Sequence, residues 1–316
     1  MIDTATPAPA IEPQDHEEAA GWGQKAIMLT ITVVPFVAFL AAIALLWNLA
    51  VGWTDIFLLV ILYVLMGLGV TIGFHRMLTH QAFEAIPPLK ATLLVLGSMS
   101  LQGSAITWAV DHRTHHAFSD KEGDPHSPHH GFSSSIWGRL RGLGHAHVGW
   151  MFDHSRSDVE RYAKDLLQDR LVVTISRLFP LWVVLSFGIP FALGGLITRS
   201  WTGAFTGLIW GGLVRLFFNH HVTWSVNSIC HVFGRRPFAA SDRSTNNWVL
   251  ALPSLGEAWH HNHHVFPTSA FHGLGWRQVD LSGLVIATWE KLGLVRNVRR
   301  PSAEQIGRKR TAAMSA

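Results

Sequence analysis

Histidines in three tight groups carry the chemistry of this 316-residue chain: His75 and His80 in HRMLTH, His112, His115 and His116 in HRTHH, and His260, His263 and His264 in HHNHH. Imidazole is a nitrogen ligand suited to Fe, Zn, Cu or Ni, so ligand type alone does not choose the metal. Eight grouped imidazoles exceed the coordination of one ion and point to two. Each HxxHH triplet falls on one face of a helix and can aim three nitrogens at one point. His75 and His80 are five residues apart, off register in a regular helix, so the helix must end or distort between them. Chance enrichment accounts for an isolated histidine but not for two HxxHH triplets and a third pair. His126, His129, His130, His145, His147, His154, His220, His221 and His272 are expected in loops, at interfaces or behind the ligands. His261 points away from its triplet, and His16 has no assigned role. The single cysteine, Cys230, excludes cysteine-ligated zinc, iron–sulfur clusters and an internal disulfide framework. No HExxH-type motif with its general-base glutamate is present, which excludes zinc proteolysis of that kind.

The elements that must position these groups are apolar. With 48% hydrophobic residues, 15% charged residues and 14 tryptophans, the chain reads as one integral membrane domain. Residues 26–49, 56–74, 178–197 and 201–218 are each near the ~20 residues that a spanning helix requires. Short connections pair them as two hairpins. Of 25 Lys and Arg, only Arg199 falls in those connections, so the remaining face, with both termini, is expected to be cytoplasmic. Residues 89–110 are also apolar, but a crossing there would separate HRMLTH from HRTHH by ~30 Å of hydrocarbon. Pro87–Pro88 is therefore read as the start of a buried or interfacial helix. The expected architecture is all-α: four transmembrane helices under a cytoplasmic helical cap of residues 75–177 and 220–298. A disordered tail is expected over 1–22 and a basic disordered tail over 299–316, with the first apolar segment a retained anchor. The formal charge of +4 suits anionic headgroups or an anionic substrate, and no basic stripe interleaved with aromatics suggests nucleic acid.

HRMLTH, DHRTHH, NSICH and GEAWHHNHHVFP, in this order between two apolar hairpins, resemble the membrane fatty acid desaturase family, nearest its acyl-CoA Δ9 branch. The resemblance covers roughly residues 26–290. It implies a nonhaem diiron centre held by His75, His80, His112, His115, His116, His231, His260, His263 and His264. Asn227 matches the family asparagine that holds a metal-bound water. His261–Asn262 departs from the Asn-Tyr of eukaryotic relatives.

An unactivated methylene has no acidic proton, so a metal oxidant made from O2 is the chemistry that such a centre would supply. The chain lacks a dinucleotide fingerprint, a haem segment and cluster cysteines, which implies a separate ferredoxin or cytochrome b5-type donor. The expected reaction is cis desaturation, at Δ9, of a saturated C16 or C18 chain carried on CoA. An acyl-lipid substrate, or hydroxylation of a lipid or alkane, is the alternative. Metal transport is disfavoured, because the first two apolar segments carry no Lys, Arg, Glu or His before His75. Gln102, Thr107 and Trp108 are candidates to line the acyl channel, and Tyr63, three turns before His75, to close it. Arg113, Lys121, Arg139 and Arg141 are candidates for CoA phosphates or lipid headgroups. Arg215, inside an apolar segment, is expected to join a polar network near the metals. The expected setting is a multi-pass protein of a bacterial plasma membrane.

Overall fold

A computed structural model describes residues 21–48, 51–152 and 158–314. Helix α1 (Trp22–Asn48) is predominantly apolar after Lys25 and carries Pro35 in its interior. Helix α2 (Trp53–Thr79) starts where Asp55 accepts the Gly52 N–H at 3.1 Å. Its last stretch, Gly69–Thr79, winds as a π-helix. Helix α3 (Pro87–Ser98) opens with proline in its first turn, as expected. The chain then breaks: Leu101 and Gly103 adopt positive φ, and Ser104 caps α4 (Ala105–Phe118) by accepting from the Thr107 N–H. The apolar stretch 89–110 is thus two helices with a bend between them, and neither is long enough to span a bilayer.

Helices α5 (Ile136–His147) and α6 (Arg170–Arg177) follow, the latter capped by Asp169. Helix α7 (Phe179–Thr198) turns at Arg199 into α8, which runs through Trp201–Gly207, a π segment Leu208–Val214 and Arg215–Ser228. Short helix α9 (His260–Val265), α10 (Leu281–Lys291) and α11 (Ala303–Met314) complete the chain. Strand β1 (Glu84–Ala85) pairs antiparallel with β2 (Val295–Arg296), tying the C-terminal segment beside α3.

Among the described residues, three helices are long and apolar enough to cross a membrane: Trp22–Ala44, Trp53–Thr79 and Phe179–Thr198. Their outward residues, such as Leu40, Phe57, Val184 and Leu196, are exposed without a polar cover, the surface that a bilayer solvates. The fourth apolar stretch, 201–218, lies in α8, which is packed among α1, α2 and α7. Gly194 and Gly203 make that packing close: a Cβ on Gly194 would sit 2.1 Å from the Gly203 carbonyl oxygen. Helix α1 rests mainly on α8 rather than on α2, so the first expected hairpin opens to admit the fourth helix.

Under the cap, Phe74, Met77, Leu93, Leu94, Val110, Ile175 and Ile286 form the main core. They bind the end of α2 to α3, α4, α6 and α10. The segment 299–316, expected to be a disordered tail, carries α11 over Ala303–Met314. Its Lys309 carbonyl accepts the Ala239 N–H at 3.2 Å, and the Arg310 guanidinium lies over Phe238. Those tertiary contacts hold a helix that composition alone did not favour. Of the other expected tail, residues 1–20 lie outside the described residues, whereas Trp22 already begins α1.

Candidate metal centre

The π-helical end of α2 solves the five-residue spacing of the first cluster. A π turn closes on i→i+5, and the His80 N–H donates to the His75 carbonyl at 3.1 Å. That widening brings both rings to one side, with centroids 4.9 Å apart. Helix α4 presents His112, His115 and His116, and α9 presents His260, His263 and His264. His231 follows the end of α8 in a 3-10 turn.

These nine imidazoles divide into two groups. His75, His80, His112, His116 and His263 place ligand nitrogens within 4.8 Å of one another, and so do His115, His231, His260 and His264. In the first group, Nε2–Nε2 separations are 3.0 Å for His75–His263, 3.1 Å for His80–His112 and 2.8 Å for His116–His263. In the second they are 3.0 Å for His231–His260, 3.0 Å for His260–His264 and 3.4 Å for His115–His264. Two nitrogens bound at about 2.1 Å and at right angles to an ion stand about 3 Å apart, so the donor set fits two metal ions.

Carboxylates behind the rings decide which nitrogen faces inward. Nδ1 of His115 donates to Asp124 at 2.9 Å, Nδ1 of His231 to Asp120 at 3.0 Å, and Nδ1 of His264 to Asp242 at 3.2 Å. Nδ1 of His75 bonds to Glu257. With the proton held on Nδ1, the Nε2 lone pair points into the group. Burial, reinforced by neighbouring imidazoles, holds His80, His112, His116, His260, His263 and His264 well below the ordinary imidazole value, in the neutral form that a metal needs. Burial is the largest influence on His115 and acts to lower it, but Asp124, together with Asp120 and Asp242, outweighs it and raises that ring. The partners are anchored in turn: buried Arg76 binds Glu257 and, through both terminal nitrogens, Asp280, each at 2.9 Å.

The sequence reading missed these four carboxylates and Arg76. Their only signal was position: acids are few, and Asp120, Asp124 and Glu257 sit within a few residues of the histidine motifs. His126 and His272, expected behind the ligands, stack on His115 at 4.2 Å and lie 4.5 Å from His263. His129 donates to the His231 carbonyl, His220 to the Ser100 carbonyl, and His261 contacts Ser244 and Phe238. His147 pairs with His221 at 3.0 Å, and His145 packs on Phe132. His130 is exposed, and His154 lies outside the described residues.

Two cavities meet beside the histidines and share Gln102, Trp108, His112, Thr223 and Asn227. The first runs down among α2 and α8 past Tyr63, Gly67 and Val70, and the second is lined also by Thr107 and by Gln24, Met28 and Ile31 of α1. All four channel candidates therefore line a cavity. Trp108 stacks on His112 at 5.0 Å, and its indole N–H donates to Gln102, which itself donates to Thr223 at 3.0 Å. The Tyr63 hydroxyl donates to the Pro253 carbonyl.

Among the basic candidates, Arg113 is occupied by Asp165 and the carbonyls of Leu78, Thr79 and Tyr162. Lys121, Arg139 and Arg141 are exposed and line neither cavity. Arg215 does not reach the metal groups. It is fully buried and donates to Ser186 and to the carbonyls of Met99 and Gly211, bracing α8 against α7 and the bend after α3. Neutral acceptors satisfy its donors locally, so the expected link to the metal network is not made.

Residues 52–278 match the fatty acid desaturase family model. The chain is 42% identical to a hex-5-enoyl-[acyl-carrier protein] acetylenase of Moorena producens, over 90% of its own length and 89% of the relative's. It is 38% identical to an sn-1 stearoyl-lipid 9-desaturase of Anabaena variabilis, over 80% and 87%, and 33% identical to an acyl-CoA C20 Δ5-desaturase of Anemone leveillei, over 94% and 90%. The histidine architecture and these matches agree: the chain is an oxidoreductase and belongs to the fatty acid desaturase family.

Proposed function

We propose that this protein introduces a cis double bond at Δ9 of a saturated C16 or C18 acyl chain, with two irons held by the nine histidines. His75, His80, His112, His116 and His263 would hold one ion. His115, His231, His260 and His264 would hold the other, with Asn227 steadying a water beside them. Bound there, reduced iron would activate O2 and supply the oxidant that removes two hydrogens from adjacent methylenes. The residues of this chain do the positioning. Asp120, Asp124, Asp242 and Glu257 keep protons on Nδ1 and lone pairs inward, and buried apolar walls keep water from the reacting carbons. Gln102 and Trp108, at the junction of the two cavities, hold the chain where it passes His112, and Tyr63 bounds its far end.

The observation that carries this reading is the contact between the cavity junction and the ring of His112, where a methylene chain would lie against the five-imidazole group. Support for Δ9 comes from the stearoyl-lipid 9-desaturase relative. Electrons come from a separate ferredoxin or cytochrome b5-type protein. In this reading four helices span a bacterial plasma membrane, with the cap and both termini cytoplasmic.

The test is gas chromatography–mass spectrometry of fatty acids from a host expressing the chain with a compatible donor. A new cis-9 16:1 or 18:1 peak, absent with His264→Ala, is the expected result. A hydroxylated product would overturn desaturation in favour of oxygen insertion. Full activity of His264→Ala with intact iron content would overturn the ligand assignment.

A further inference from the structure

The second cavity has a wall one helix thick. Gln24, Met28 and Ile31 line it from α1 at spacings of four and three residues, a single stripe of that helix. Elsewhere on the same segment, Ile27, Leu29, Val33 and Val34 are exposed and apolar, a surface that suits lipid, with Lys25 exposed near its start. Among the described residues, 22–34 of α1 stand between the cavity and the lipid-facing surface at this point.

Pro35 divides α1 into two unlike halves. Beyond it, Phe39 stacks on Phe217 at 4.3 Å, and Ala42 is fully buried with Trp210 and Val214 of α8. Before it, the side-chain hydrogen bonds in the described structure, Thr30 to the Ala26 carbonyl and Thr32 to the Met28 carbonyl, stay within the helix. Proline has no N–H, so the Ile31 carbonyl lacks its usual helical partner, and the helix is weakest where the anchored half ends. That break in the hydrogen-bond ladder lets the half before Pro35 bend independently of the half that packs on α8.

Charge at the mouth narrows what passes. Among the described residues, those lining the second cavity include no Lys or Arg. A CoA thioester brings several phosphate charges, which proteins meet with Arg and Lys. Arg113, next to the ligand His112, is already paired with Asp165.

We propose that the acyl chain reaches the histidines sideways from the bilayer, past residues 22–34 of α1 hinged at Pro35, while its carrier, a neutral glycerolipid, stays at the membrane surface. This rests on the desaturase reading above and assigns the carrier and route within it. Gln24, Met28 and Ile31 then touch the upper part of the chain, between the headgroup and Trp108.

The native cysteine is fully buried, so Met28→Cys gives one accessible thiol facing the cavity, and Val33→Cys gives one facing lipid. Each full-length variant is placed in vesicles of branched-chain diphytanoyl lipid, and its reaction with a lipophilic maleimide is timed. Distearoyl galactosylglycerol at about ten times its dissociation constant should slow Met28→Cys about tenfold. Stearoyl-CoA should leave that rate unchanged, and Val33→Cys should respond to neither. Protection of Met28→Cys by stearoyl-CoA alone, or by neither compound, overturns the proposal. Gln24→Cys, on the same stripe, replaces Met28→Cys if that variant fails to fold. This readout needs no turnover. Absence of unsaturated product from both carriers, in iron-loaded protein with a working donor, would overturn the desaturase reading whatever the labelling shows.

Discussion

Asp242 Oδ2 accepts from Nδ1 of His264 at 3.2 Å, and the backbone N–H of the next residue, Arg243, donates to Asp120, the partner of His231. One loop thereby supports two rings of the four-imidazole group. Asp124 supports a third, whereas in the five-imidazole group, among the described residues, only His75 has a carboxylate partner, Glu257. Asp242→Asn should weaken metal retention in the smaller group about 10- to 100-fold, the usual effect of losing such a partner. Iron content after dialysis against a graded chelator checks this. The expected outcome is one ion lost early and one retained. Simultaneous loss of both would show that the two groups do not hold metal independently.

Arg76 is fully buried between Glu257 and Asp280, and it joins α2 to the segment before α9 and to the N-cap of α10. Removing one partner from a buried charge network costs about 3–5 kcal/mol. Arg76→Met should therefore lower the detergent-solubilised melting temperature sharply, because two carboxylates are left uncompensated. An unchanged melting curve would mean that the network is dispensable for the fold.

Six rings, those of His80, His112, His116, His260, His263 and His264, have folded-state values well below 6.5 because they are buried among other imidazoles. Below that pH the unfolded chain binds more protons than the folded one, so stability is present above 6.5 and is lost as pH falls. Metal-free protein should melt progressively lower from pH 7.5 to pH 5.5. Bound metal, which also requires neutral imidazole, should flatten that slope. A metal-free melting temperature independent of pH in this window would contradict the assigned protonation.

Tyr63 lines the first cavity and is fixed there by its bond to Pro253. Tyr63→Ala removes the ring and the tether, and should extend the products toward longer chains while leaving iron content unchanged. Product profiles from a host supplied with C16 to C20 chains measure this. An unaltered chain-length distribution would remove Tyr63 from the specificity boundary.

Local spacing made much of this protein legible. HxxHH repeats on two short helices, Pro87 starts a helix, and long apolar runs need either lipid or a core, because these properties depend on neighbours within one or two turns. The His75–His80 spacing even required a distortion, which the structure supplies as a π turn. His231 and Asn227 were legible only through family resemblance, since a lone histidine carries no period.

Tertiary structure decided the rest. The division of nine rings into five and four joins residues as distant as His75 and His263, and the carboxylate partners join His75 to Glu257 and His231 to Asp120. Such pairs have no periodic signature, because folding rather than chain distance sets their separation. The same holds for Arg215, whose charge suggested the metal network but whose donors are satisfied by Ser186 and two carbonyls, and for α11, held by contacts to the 238–239 segment. Residue type and spacing determined which chemistry this chain is equipped for. Packing determined which rings share a site and which residues line the cavities beside it, because those depend on contacts between segments that lie far apart along the chain.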